Sequence, residues 1–392
     1  MITIKETISK IVRGFWGEEL AEGAIGIPVI KTNNMSYEGK INYSELTYRD
    51  IDKSKIQDNY LQNGDLLIEK SGGTKTHSVG YVNIFEGTDN KYVCNNFILA
   101  IRPNKKVINP KYLFYDIQYK YNSGKFDDCY NKTTGIQNLK VDNYLAKRIN
   151  NIDLKKQKEI VSILDKINGI VDADKKQLKL LDETVKSRFI EMFAHSSWKK
   201  ERLADVIVFL RNGLTIKQEK NASGIPITRI ETLANARFNY DRLGYANIFE
   251  LSDKQKNYLL KDGDLLISHI NSAEYVGRTV QYHAKDNEQI LHGMNLLCMR
   301  LKDGINSTYI EHYFRSEEVN TYFKSISKKA VNQASMSTSD MKVMQVSLPP
   351  IELQNKFAEF VDKVDKSKFN IQQHIDLMQE LLDKKMDEFF NQ

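Results

Sequence analysis

An α+β fold is predicted: two β-rich domains related by a pseudo-two-fold axis and separated by two long helices that pair as an antiparallel coiled coil. Three observations carry the prediction. First, the chain repeats itself. LKKQKEIVSILDKINGIVDADKKQLKLLDETVKSRFIEMF (154–193) aligns without a gap on IELQNKFAEFVDKVDKSKFNIQQHIDLMQELLDKKMDEFF (351–390), with Gln157 on Gln354, Asp165 on Asp362, Leu180 on Leu377 and Phe193 on Phe390. Second, the repeat extends beyond these segments. Gly26-Ile27-Pro28 returns as Gly224-Ile225-Pro226, and Gly64-Asp65-Leu66-Leu67-Ile68 as Gly263-Asp264-Leu265-Leu266-Ile267. Third, both 40-residue segments keep apolar residues in heptad register, a coiled-coil seam. A duplicated chain of this kind places two similar domains about a two-fold axis.

The first β-rich region reads as short apolar runs between turns. Asn63-Gly64-Asp65 is a turn signal, and the apolar run behind it reads as a buried strand. The strand opens into Glu69-Lys70-Ser71-Gly72-Gly73-Thr74-Lys75-Thr76-His77, a polar, basic loop. Further on, Asn131-Lys132-Thr133-Thr134-Gly135-Ile136-Gln137-Asn138 is a second polar loop. The second β-rich region offers the matching places with different residues. Asp262-Gly263-Asp264 leads into Ser268-His269-Ile270-Asn271-Ser272, and Lys328-Lys329-Ala330-Val331-Asn332-Gln333-Ala334-Ser335 stands opposite the second loop. Lys, Ser, Thr, Asn and Gln are the groups that contact phosphates and base edges. Candidate contacts are therefore Lys70, Ser71, Thr74, Lys75, Lys132, Thr133, Gln137 and Asn138 in the first half. Ser268, His269, Asn271, Lys328, Lys329, Asn332 and Gln333 are those of the second. Arg13, Arg211 and Arg229, with Trp16, are further candidates near the domain starts. Each loop taken singly also fits a solvated turn. Divergence at matching places on one framework fits two readers of different sequences.

With Gln157 at position a, the seam of the first helix is Gln157, Ile160, Leu164, Ile167, Val171, Asp174, Leu178, Leu181, Val185, Arg188 and Met192. That of the second is Gln354, Phe357, Val361, Val364, Lys368, Ile371, Ile375, Met378, Leu382, Lys385 and Phe389. Polar seam residues are costly unless paired. An antiparallel register that sets Asp174 against Lys368, Gln157 against Lys385 and Arg188 against Gln354 pairs all six, and polar layers are a device for fixing register. That register is the expectation. Forty residues make a rod of about 60 Å.

Composition bounds the rest. A chain of 392 residues is expected to hold two or more domains. The balance of 57 basic against 51 acidic residues gives a net charge of +6, compatible with a nucleic-acid partner without establishing one. Cys94, Cys129 and Cys298 stand alone, without metal-ligand spacing, and fit a reducing compartment. No stretch approaches the roughly 18 apolar residues of a membrane span, so a cytoplasmic chain without a membrane partner is expected. Common enzyme signatures are absent from both halves. Gly72-Gly73-Thr74-Lys75-Thr76 has the wrong order for a P-loop, Ser347-Leu348-Pro349-Pro350-Ile351 lacks the amide and aromatic of an amino-methyltransferase motif, and the seven histidines have no metal spacing.

The ordered combination, twice over, resembles the specificity (S) subunit of type I restriction-modification systems. Leu348-Pro349-Pro350-Ile351-Glu352-Leu353-Gln354, Gly64-Asp65-Leu66-Leu67-Ile68 with its echo, and Gly135-Ile136-Gln137-Asn138-Leu139 carry the likeness. Asn151-Ile152-Asp153 departs from it, where the family prefers prolines. The resemblance implies target-recognition domains at 1–151 and 196–348, and helices at 152–195 and 349–392. Each domain would read one half of a bipartite double-stranded DNA site. The helices would set the spacing and dock two methyltransferase subunits, with restriction (translocase) subunits joining. It also implies a chain that is not itself an enzyme, without cofactor or metal. S-adenosylmethionine, ATP and magnesium would belong to the partner subunits. The competing expectation is a coiled-coil scaffold or adaptor whose globular domains bind proteins.

Overall fold

The computed structural model describes residues 1–74, 77–131, 136–194, 197–218, 223–272, 275–330 and 333–391. It divides into two compact units, Met1–Lys175 with Gln372–Gln392, and Lys176–Ile371. Both long helices, Leu154–Phe193 and Ile351–Phe390, contribute a part to each unit.

Each unit is built on the same four-stranded antiparallel sheet. In the first the order is Ile8–Val12, Ile98–Pro103, Leu66–Glu69, Val82–Ile84, and in the second Ile207–Asn212, Leu297–Leu301, Leu265–Ile267, Thr279–Gln281. The Leu-Leu-Ile run is apolar throughout because it is covered on both faces. Leu66 and Ile68 point into one core and Leu67 into another. Leu265 and Ile267 divide from Leu266 in the same way. Successive strand side chains face opposite sides, so a run with two covers needs no polar alternation.

The residues shared between the halves are the joints of this framework. Gly64 (φ 95°) and Gly263 (φ 80°) take the left-handed backbone conformation that glycine tolerates best. The next residue, Asp65 or Asp264, is buried and grips an arginine of the neighbouring strand with both carboxylate oxygens. Arg102 Nε and Nη2 each lie 2.8 Å from Asp65, and Arg300 Nε and Nη2 each 2.7 Å from Asp264. Asn109 caps the helix Pro110–Asn122, accepting from the backbone N–H of Lys111 and Tyr112. Asn306 caps Ser307–Phe314 through Thr308 and Tyr309.

The long helices pack antiparallel within each unit. In the first, Ile160, Val161 and Leu164 share a core with Met386 and Phe390, and Phe390 lies 5.3 Å from the Tyr112 ring. In the second, Val185 and Phe193 share one with Phe357, Val361 and Val364, with Phe193 4.8 Å from Tyr309. The seam positions expected from the heptad are all buried or half-buried.

The expected register is not adopted. Asp174 pairs with His374 (2.7 Å), six residues beyond Lys368. Lys368 reaches Asp182 (2.6 Å) and Asp365 (3.2 Å) instead. The displacement is about one heptad. Arg188 and Lys385 do not face Gln354 and Gln157 but pair within their own helices, with Glu191 (2.7 Å) and Glu388 (2.6 Å). Gln157 and Gln354 are not seam partners either. Gln157 Oε1 accepts from the Asn109 backbone N–H (2.7 Å) and its Nε2 donates to Ile152 O (2.8 Å). Gln354 repeats this with Asn306 (3.0 Å) and Pro349 (2.7 Å). The reason is a matter of magnitude. Buried aromatics at the helix ends fix the axial position, whereas long charged side chains swing to whatever partner lies within reach.

Candidate nucleic-acid interface

Just beyond its Gly-Asp-Leu-Leu-Ile strand, each unit forms a short antiparallel ribbon. In the first unit Ser71–Gly72 pairs with Gln137–Asn138, Ser71 opposite Asn138 and Gly72 opposite Gln137. In the second, Ile270–Asn271 pairs with Gln333–Ser335, Ile270 opposite Ser335 and Asn271 opposite Ala334, and Lys328–Ala330 adds a third strand. The loops that the sequence offers one by one are thus brought together in pairs, in equivalent register, in both units.

In the first unit Ser71 Oγ donates to Asn138 Oδ1 (2.7 Å), and the Lys70 and Ser71 backbone N–H groups both donate to Phe97 O (2.7 and 3.2 Å). Lys70, Ser71 and Gln137 are half-buried and Asn138 is exposed. Gln137 Oε1 accepts from Val79 N (3.2 Å), and Thr74 and His77 close the turn, with Thr74 N donating to His77 O at 2.7 Å. His77 stacks on Tyr37 at 3.8 Å. Glu69 lies beneath the ribbon. Gly72 takes φ 140°, which side-chain-bearing residues rarely adopt, and a Cβ there would lie 2.5 Å from Glu69 Oε1 and displace it; Gly73 N donates to that oxygen at 3.4 Å. Burial pushes the Glu69 carboxyl above its ordinary range, and burial followed by the Glu69 charge raises the Tyr37 hydroxyl. Lys75, Lys132 and Thr133 lie outside the described residues.

In the second unit two candidates prove to be interior. Ser268 is 1% exposed; its backbone N–H donates to Arg278 O and its Oγ accepts from Asn271 Nδ2 (3.1 Å), so it braces the ribbon from within. His269 is 6% exposed and sits 3.0 Å from Asn212 Nδ2, and burial lowers its imidazole below the usual histidine range. Asn271 Oδ1 accepts from Ser272 N at 2.8 Å. Lys328 is exposed. Lys329 and Gln333 lie on the ribbon strands, with Lys329 opposite Ala334 and Gln333 opposite Ala330. Asn332 lies outside the described residues.

The isolated arginines lie apart from the ribbon strands and make local contacts. Arg13 is exposed beside Phe15, 5.4 Å from its ring, with its backbone N–H on Asn59 Oδ1. Arg211 lies over Phe209 (4.4 Å) and Tyr258 (4.9 Å) and donates to Asn257 O (2.5 Å). Arg229 leads into the 3₁₀ turn Ile230–Ala236, with Nε 3.6 Å from Glu231. Tyr37, Glu69 and Asn212 also touch these segments and are not among the candidates the sequence offers. Of these only Glu69 left a signal: it follows the repeated strand directly, at the place where the other half carries Ser268. Among the described residues no group of three or more His, Cys, Asp or Glu side chains is placed to hold a metal ion, and no helix is long and apolar enough to cross a membrane.

The family model described as the type I restriction modification DNA specificity domain matches twice, at residues 10–182 and 195–378. The chain is 38% identical over 182 residues to a protein of Methanocaldococcus jannaschii assigned as the MjaX type I restriction enzyme specificity subunit. That match spans 46% of this chain and 42% of the relative, less than half its length. It is 24% identical over 385 residues to the EcoKI type I restriction enzyme specificity subunit of Escherichia coli K12, across 92% of this chain and 80% of that one. Two solved structures share the fold. One is a type I restriction-modification S subunit from M. genitalium, with a TM-score of 0.56 and 13% identity, covering 99% of this chain and 95% of that one. The other is a chain from a study of type I R-M complex assembly and conformational transition, with a TM-score of 0.51 and 15% identity, covering 99% and 96%.

Proposed function

We propose a division of labour from the premise that the chain belongs to the type I restriction modification DNA specificity family, as a specificity subunit of a type I restriction-modification system. Each ribbon, with the loops around it, reads one half of a bipartite double-stranded DNA target. The long helices set the spacing between the half-sites and dock two methyltransferase subunits, and restriction subunits join that assembly. The chain carries out no chemistry of its own. Adenine methylation and DNA cleavage, with S-adenosylmethionine, ATP and magnesium, are the partners' work.

One observation carries this reading: the two ribbons stand in the same register on the same framework, yet they present different polar residues. Ser71 and Asn138 occupy the places that Ile270 and Ser335 occupy in the other half. The framework joints, Asp65 with Arg102 and Asp264 with Arg300, are kept. Differing polar groups on a kept scaffold are what two base readers need, since phosphate contacts position a protein and base-edge contacts specify sequence.

Mapping methylated adenines across the source genome tests the reading. The expected result is a split motif with a fixed gap that is lost when this chain's gene is deleted. A continuous motif, or no dependence on the chain, would overturn it.

A further inference from the structure

Two polar atoms at the roots of the ribbons are buried without a hydrogen-bond partner, Glu69 Oε2 in the first unit and His269 Nδ1 in the second. Such atoms are uncommon in native folds and call for an explanation. Their places are neighbours in the repeat, not the same position: Glu69 stands where the other half has Ser268, and His269 where the first half has Lys70. Each lies just past the repeated Leu-Leu-Ile strand, under the ribbon that the strand leads into.

Their chemistry is opposite. Glu69 Oε1 has the Gly73 N–H, and Oε2 is an acceptor with nothing to accept. For His269 the neighbouring amide fixes the tautomer. Asn212 Nδ2 donates to Met294 O (3.2 Å), which sets that amide's orientation, and its other N–H faces His269 Nε2 at 3.0 Å. Nε2 must therefore accept. A neutral imidazole with an accepting Nε2 carries its proton on Nδ1, and burial disfavours the charged ring. Nδ1–H is then a donor with nothing to donate to. A carboxylate repels phosphate, so a base edge is the DNA group that suits Glu69. Gly72 and Gly73, at φ 140° and 73°, lie over it.

We propose that Glu69 and His269 are specificity-determining residues of the two units: Glu69 accepts from the exocyclic amine of a cytosine or adenine, and His269 Nδ1–H donates to the N7 of a purine. The inference rests on the DNA-reading function proposed above and deepens it. The roots of the two ribbons then read opposite features of the major-groove pattern, one a donor and the other an acceptor.

The test uses the chain assembled with its methyltransferase subunits, after the wild-type target has been mapped. Glu69→Gln is expected to relax the preference at one base pair of the first unit's half-site by about tenfold, with the other half-site and the gap unchanged. His269→Gln, which keeps an amide near Asn212 but loses the Nδ1 donor, is expected to do the same in the other half-site. His269→Asn, whose amide stands near the Nδ1 position, is expected to recover much of the preference. Unchanged preference at every position in assembled, active variants would overturn the proposal, as would a loss uniform across all sequences. Should a variant fail to assemble, wild-type complex is tested on duplexes with single base analogues. A tenfold loss is expected on removing one exocyclic amine in the first half-site, and on placing one 7-deazapurine in the second. No such position in either half-site would overturn the proposal. A wild-type complex without a split motif overturns the underlying function instead, so the two failures are distinct.

Discussion

Asp65 and Asp264 appear in the sequence only as members of an echoed pentapeptide, and their weight becomes visible once Arg102 and Arg300 are placed against them. Each aspartate is 1% exposed. Removing one partner of such a pair leaves the other charge uncompensated, at a cost of roughly 3 kcal/mol. Asp264→Asn is therefore expected to shift urea unfolding of the purified chain by about that amount, while Asp52→Asn, at the exposed N-cap of the short helix Lys53–Ile56, leaves it near the wild-type value because asparagine caps as well as aspartate. Equal shifts would remove the special role of the pair. The histidines give a pH expectation. Burial lowers His292 to about 4 and His312 to about 3, so both are neutral in the folded unit and protonate on unfolding below the ordinary histidine value near 6.5. Folded values below the unfolded one mean stability that is whole above pH 6.5 and is lost as pH falls towards 4. Between pH 7 and 5, His292 alone contributes a loss of about 2 kcal/mol. Melting temperature against pH should fall across this window, and His292→Gln should flatten the slope. A slope unchanged by the substitution would rule the histidine out as its source.

At the scale of elements, the helices and their seam were legible, and the register was not. The heptad identifies which faces are buried because burial repeats with the helix period. Register is decided by what pins the helix ends, here Phe193 against Tyr309 and Phe390 against Tyr112, and both ring partners are remote in sequence. Gln157 and Gln354 show the same limit. Each occupies a seam position and reads as a polar layer, yet each joins its helix to the cap of a domain helix. Gln157→Ala leaves the Asn109 N–H and Ile152 O without these bonds, at a cost of about 1–3 kcal/mol. Native-state hydrogen exchange should show faster exchange of the first turn of Pro110–Asn122 in that variant, with Ser307–Phe314 unaffected. Faster exchange in both helices would indicate that the effect is not local. The ribbons were half legible. Their loops stand out by polarity and by matching place, but the pairing of residues 71–72 with 137–138 joins segments some 65 positions apart, which no local pattern encodes.

For the whole molecule the proposed function makes separable demands. Replacing residues 1–150 by the corresponding part of another specificity chain should change one half of the methylated motif and leave the other half and the gap intact. Inserting a whole heptad in both long helices should change the gap and neither half-site. A changed half-site in the second experiment would contradict the division between domains and helices. Duplex binding by the assembled complex should weaken steeply with salt, because lysines and arginines at phosphates release counterions. Binding indifferent to salt would count against a DNA-reading role.

The sequence by itself determined the duplication, the buried Leu-Leu-Ile strands, the two seam-bearing helices and the general location of the polar loops. These follow from periodicity and turn chemistry, which act over a few residues. Tertiary structure alone decided the helix register, the pairing of loops into ribbons, the burial of Ser268 and His269, and the unpartnered atoms of Glu69 and His269. Each depends on which distant groups meet, and hydrogen bonding and close packing are settled at distances of a few ångströms that local sequence does not specify.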